Sequence, residues 1–138
     1  MTASPRYTLN RSVIILHYKQ PVLDWLLSAD PEPLDRLTLE ELGQDGDAFL
    51  IPGDLSRYPV NNEQDAIKWV EKRWRLFFEH CLNNRLTDES LWPKKRSLKM
   101  FRNWLSIEYR SMVWDLANEP LVVEDWENEN DHDDEIMH

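Results

Sequence analysis

The sequence predicts a helix-rich α+β fold, one domain in which two long helices pack on a small sheet of about three strands. Three observations carry that expectation. A short β-branched and apolar run, Val13-Ile14-Ile15-Leu16-His17-Tyr18, has the length and composition of a strand. Two much longer stretches, 63–84 and 98–116, carry apolar residues at helical spacing. Turn and stop residues separate these segments.

In chain order, residues 1–12 are polar, with Tyr7 and Leu9 offering the start of a strand. Val13–Tyr18 lacks clean alternation, so it reads as a strand covered on both faces. Pro21 suits a first helical turn, and Val22, Leu23, Trp25, Leu26 and Leu27 give that helix an apolar side. Asp30-Pro31-Glu32-Pro33 ends it, because proline disfavours helical geometry in the residue before it. Thr38 and Glu41 have capping-box spacing and open a short helix. Ala48-Phe49-Leu50-Ile51 reads as the second strand, closed by Pro52-Gly53-Asp54, with 55–60 as a connection. This strand–helix–strand opening allows a right-handed parallel crossover.

Asn61 to Gln64 offers another cap, and the helix expected over about 63–84 puts Ala66, Ile67, Val70, Trp74, Phe77, Phe78 and Cys81 on one side. Lys68, Glu71, Lys72, Arg75 and Glu79 form its solvated side. The stretch 98–116 reads as one central helix, apolar around more than half its circumference and therefore enclosed. Asn118-Glu119-Pro120 ends it, and Leu121-Val122-Val123 reads as the third strand.

The chain has 138 residues and a net charge of −10, but the charge is unevenly placed. Eight acids and no Lys or Arg fall in 124–138, leaving eighteen acids against all sixteen bases in residues 1–123, a net of −2. The expected organisation is a globular domain over 1–123 and an acidic, disordered tail over 124–138. A single cysteine, Cys81, allows no internal disulfide and suits a reducing compartment. No signal-peptide pattern and no membrane-length apolar run is present, so the expectation is a cytoplasmic protein with no membrane association.

Much common chemistry is excluded. Three glycines, at 43, 46 and 53, compose neither a dinucleotide fingerprint nor a P-loop, and no serine sits in a nucleophile elbow. Asp45-Gly46-Asp47 is not followed by the remaining ligands of a calcium loop. The four histidines lack zinc-site spacing, so neither a metal nor a cofactor is expected.

Two constellations remain on the expected central helix. Ser97, Glu108, Ser111 and Asp115 fall near one line among aromatics. A carboxylate so placed has a raised pKa unless a cation meets it, which would suit an enzyme using Glu108 or Asp115 in an aromatic-lined cleft. Pairing with His17, His80 or Arg73 would make the same residues a structural network. On the other side Lys95, Lys99, Arg102 and Arg110 line up as a basic strip, suited to an anion, to nucleic acid or to the acidic tail. With no catalytic signature, the leading expectation is a small non-enzymatic protein acting through a protein partner. Catalysis at Glu108/Asp115 and anion or nucleic-acid binding at the strip are the alternatives.

Overall fold

The computed structural model describes residues 6–31, 37–44 and 46–125. Its central strand, β2, runs from Arg11 to Tyr18, after a two-residue β1, Tyr7–Thr8. Ser12, Ile14, Leu16 and Tyr18 are buried, whereas Val13 and Ile15 are half-buried and His17 is exposed. The strand therefore alternates, with one face on the core and the other partly open, and is not covered on both sides as its composition suggests. α1, Gln20–Ala29, starts with Pro21 in its first turn and buries Val22, Leu23, Trp25 and Leu26. α2, Leu39–Gln44, begins where the Thr38 hydroxyl accepts a hydrogen bond from the Glu41 amide at 3.2 Å.

β3, Ala48–Pro52, pairs antiparallel with β2, with Ile14 opposite Phe49 and Ser12 opposite Ile51. The expected parallel crossover is thus absent: the intervening chain brings β3 back beside β2 in the opposite direction. α3 spans Glu63–Glu71 and α4 spans Trp74–Arg85, where one unbroken helix was expected. The break falls at Lys72-Arg73, with Arg73 at φ −118°, ψ 26°, outside helical geometry. The buried side is the expected one on both pieces, with Ala66 and Val70 from α3 and Phe77, Phe78, Cys81 and Leu82 from α4.

The largest departure lies in 98–116. α5 is only Leu98–Trp104, capped by the Ser97 hydroxyl accepting from the Met100 amide at 3.1 Å. At Trp104 the chain switches to β4, Leu105–Arg110. The Trp104 carbonyl accepts from the Lys19 amide at 2.8 Å, so it serves the sheet edge instead of a further helical turn. Leu105, Ile107 and Tyr109 alternate with Ser106, Glu108 and Arg110, the period of a strand with one face on a core. β4 pairs antiparallel with β2, Leu16 opposite Ile107 and Tyr18 opposite Leu105, giving the strand order β3-β2-β4. β4 is the third strand, whereas Leu121, Val122 and Val123 are irregular and exposed. β5, Trp114–Asp115, forms a separate two-stranded sheet with β1.

The α+β class stands, with five α-helices and a three-stranded antiparallel sheet among the described residues. The described residues divide into two compact units, Thr8–Trp114 and a second to which residues 6–7 and 115–125 belong. The first holds all five helices and the three-stranded sheet. Of the expected acidic tail, Glu124 and Asp125 are exposed and irregular, and 126–138 lie outside the described residues. Among the described residues no helix is long and apolar enough to cross a membrane.

Gly43 lies within α2, and a methyl group added there meets nothing within 4 Å. Gly43→Ala should raise the unfolding free energy by about 0.5–1 kcal/mol through helix propensity and reduced unfolded-state entropy. Urea unfolding of the two proteins checks this, and an unchanged or lower midpoint contradicts it.

Candidate anion-binding cleft

The site is built from the turn after β3 and the outer side of α3. Gly53 is buried, and a Cβ there would lie 3.1 Å from the Arg11 nitrogen and 3.2 Å from carbonyl carbons of Arg11 and Asn10. This close approach lets the chain turn tightly over β2. The Gly53 amide donates to the Ser56 hydroxyl at 3.1 Å, and the Gly53 carbonyl accepts from the Ser56 and Val60 amides at 3.2 and 3.4 Å. Val60 is buried and anchors the far end of the loop, while Arg57 and Tyr58 point outward.

The Asn62 side chain then caps α3, accepting from the Asp65 amide at 2.8 Å, and the Asp65 carboxylate accepts from the Asn61 amide at 3.2 Å. With the start of α3 fixed, Lys68 and Trp69 lie three and four residues after Asp65, and Lys72 three after Trp69, which puts all four on one side of the helix. Arg73, at the helix break, lays its guanidinium 3.8 Å from the centre of the Trp69 ring and donates to the Trp69 carbonyl at 3.0 Å. Trp69 also meets Phe77 edge-on at 6.2 Å, so this indole is held between the core and a cation.

Between loop and helix lies a cleft of about 720 Å³, within the range of small-molecule sites. Four cations line it, Arg57, Lys68, Lys72 and Arg73, against one carboxylate, Asp65. Among the described residues none of the four cations has an ion-pair partner. The aromatic lining is Tyr58 and Trp69, with Pro52, Pro59 and Val60 beneath. Such a cleft attracts negative charge and offers apolar surface to whatever carries it.

The residues singled out in the sequence are distributed differently. The basic strip does not exist as one helical line, because Lys99 and Arg102 belong to α5, Arg110 to β4, and Lys95 precedes the Ser97 cap. Arg102 is engaged by Glu71, its Nε and one terminal nitrogen each 2.8 Å from a carboxylate oxygen. Arg110 lies 2.6 Å from the Glu108 carboxylate. Lys95 and Lys99 are exposed.

Glu108 and His17 do meet, on the open face of the sheet, with His17 Nε2 2.6 Å from the carboxylate. The His17 hydrogen bond, reinforced by the charge of Arg110, holds the Glu108 carboxyl below its usual range. It is therefore ionised at neutral pH, the opposite of a general acid kept protonated by burial. Arg73 stacks on Trp69 instead of joining this pair. Asp115 belongs to the second unit, where its carboxylate accepts from the Ala117 amide at 2.9 Å.

Elsewhere, Cys81 is buried and its thiol is pushed up to about 12 by desolvation, which leaves it inert. His80 and Asn84 both hold the Asp47 carboxylate at 2.7 Å. Among the described residues no group of three or more His, Cys, Asp and Glu is placed to hold a metal ion.

The Glu71–Arg102 contact joins α3 to α5 and has a pH consequence. The Arg102 hydrogen bonds lower the Glu71 pKa from its ordinary 4.5, so the contact stabilises the fold above that value. The contribution is lost as pH falls through the lowered pKa. Because Arg102 is largely exposed, solvent and salt screen the pair and keep the contribution small. Glu71→Gln should lower the melting temperature at pH 7 and flatten its decline below about pH 4.5. Parallel pH profiles for both proteins would contradict this assignment.

No protein-family model, curated protein sequence or solved structure matches this chain.

Proposed function

We propose that this protein acts by binding, without catalysing a reaction, and that it takes an anionic ligand in the cleft between residues 52–60 and α3. The observation that carries this reading is the convergence of Arg57, Lys68, Lys72 and Arg73 on one concave site, without ion-pair partners among the described residues, in a chain of net charge −10. Cations of one sign at close quarters repel one another, and a bound anion relieves that repulsion. The cytoplasm, the compartment expected from the lone cysteine, is rich in such anions. A protein partner fits this reading where it presents a strongly acidic segment. The Glu108 alternative has less support, because that carboxylate is already paired on both oxygens.

Titration of the full chain with inorganic tripolyphosphate at low salt, followed by tryptophan fluorescence, tests the proposal, since Trp69 lies in the cleft wall. Binding should weaken steeply as salt rises. The double variant Lys68→Glu/Lys72→Glu should bind at least about tenfold more weakly with an unchanged circular dichroism spectrum, both positions being exposed. The double variant Lys95→Glu/Lys99→Glu should bind like wild type. Absence of binding, or equal loss in both variants, would overturn the assignment to this cleft.

A further inference from the structure

Resting on that reading, we propose that the natural ligand of the cleft is a single-stranded nucleic acid, its phosphates on the cations and one base stacked on Tyr58. The placement of the aromatic residues distinguishes this from a site for bare phosphate. Trp69 is wedged between Phe77 and Arg73, so it serves as wall. Tyr58 is 74% exposed at the mouth of the same cleft, on a loop whose buried anchors are Gly53 and Val60. It contributes nothing to the core, and its ring lies among cations, with the Arg57 guanidinium 5.6 Å from its centre. A phosphate-only ligand would make no use of that ring. A base has an apolar π-face that stacks on tyrosine whatever its identity, while the adjoining phosphates supply the charge.

The spread of cations over both walls of the cleft favours a strand over a mononucleotide. Lys68 and Lys72 lie one helical turn apart along α3, and Arg73 follows at its end. Arg57 stands on the opposite wall, on the loop. Cations on two walls of one cleft, one helical turn apart on α3 and across from it on the loop, suit successive phosphates of a strand. A duplex fits less well, because its bases are stacked on one another and their faces are unavailable to Tyr58. An acidic peptide would satisfy the cations and leave the ring without a partner.

The experiment uses the full chain and fluorescence anisotropy with four labelled probes: a ten-nucleotide single strand, the same strand made abasic, its duplex, and polyglutamate of matched charge. The base-bearing strand should bind about tenfold or more tighter than the abasic strand and the polyglutamate, and tighter than the duplex. Tyr58→Ala should reduce its affinity to that of the abasic strand, whereas Tyr58→Phe should retain the preference. Tyr58 is exposed, so neither variant should shift the melting temperature, which is measured alongside. Equal binding of base-bearing and abasic strands, polyglutamate binding as tight as the strand, or indifference to Tyr58→Ala would overturn the inference. In each of those cases tripolyphosphate binding that is lost in Lys68→Glu/Lys72→Glu would still stand, so the two proposals fail separately.

Discussion

Phe78→Ala should lower the unfolding free energy by about 3–5 kcal/mol, the range found when a large aromatic is truncated in an intact core. Phe78 is 1% exposed and stands where α4 meets α5. Its ring centre lies 5.5 Å from that of Trp104, 5.9 Å from Phe101 and 6.4 Å from Trp74. Such tilted and edge-on packing leaves no neighbour free to collapse into the space, because each ring is braced by others in turn, as Trp104 is by Trp25 at 6.1 Å. For a domain of this size a loss of that order is a large part of total stability. Urea unfolding of the full chain measures it. A loss below about 1 kcal/mol would mean that the site relaxes around the missing ring and that α4 and α5 are not locked together there.

The second large effect is expected at Gly53, where fold and cleft depend on one hydrogen atom. A Cβ at this position would meet three backbone atoms of Asn10 and Arg11 at 3.1–3.2 Å, tighter than most Cβ contacts, so backbone must give by a few tenths of an ångström. Backbone cannot rotate aside as the end of a side chain can, so the turn over β2 must lift. Gly53→Ala should therefore cost about 1–3 kcal/mol, in the manner of overpacked sites. The hydrogen bonds from Gly53 to Ser56 and Val60 would be strained together with it. Since this turn carries Arg57 and Tyr58, tripolyphosphate affinity should fall as well, although no cation has been altered. Gly43→Ala, with open space around its Cβ, is the matched control. If Gly53→Ala were as harmless, the close approach of the turn to β2 would be wrong.

How far the sequence could be read depended on whether the signal was local. Proline in the first turn of α1 and the Thr38 cap act within a few residues, and each marks a real helix start. The asparagine pair marks the start of α3 as well, with Asn62 and not Asn61 as the cap. The apolar side of 63–84 was legible for the same reason, because neighbours on a helix lie three and four residues apart. Its interruption at Lys72-Arg73 was not, since neither residue is a helix breaker by itself. There the guanidinium of Arg73 closes on the Trp69 ring and carbonyl.

The stretch 98–116 shows the limit most clearly. An apolar arc wider than half a helix accepts almost any apolar pattern, so the period-two alternation of Leu105 to Arg110 passed as helical. What decides for a strand is β2: its free edge takes the β4 backbone, and its buried Leu16 and Tyr18 take Ile107 and Leu105. That partner lies about ninety residues away in the chain and leaves no local mark. The same switch dissolved the basic strip, moving Arg110 to the sheet and leaving Arg102 to Glu71.

The cleft was hidden for a related reason. Residues 55–60 read as a connection and Lys68 and Lys72 as a solvated helix side, each a fair local description. The interleaving of basic and aromatic residues in Arg57-Tyr58 and in Lys68-Trp69 through Arg73-Trp74 was the one available sign. By itself the sequence determined the class, most helix starts, the buried sides of α1, α3 and α4 and the uneven placement of charge, because propensity, capping and periodicity act between near neighbours. The enclosure expected of 98–116 fails, since Met112, Trp114 and Leu116 are exposed. Tertiary structure alone decided where 98–116 changes from helix to strand and which cations meet a carboxylate among the described residues. Both depend on contacts between distant segments, whose energies no single segment contains.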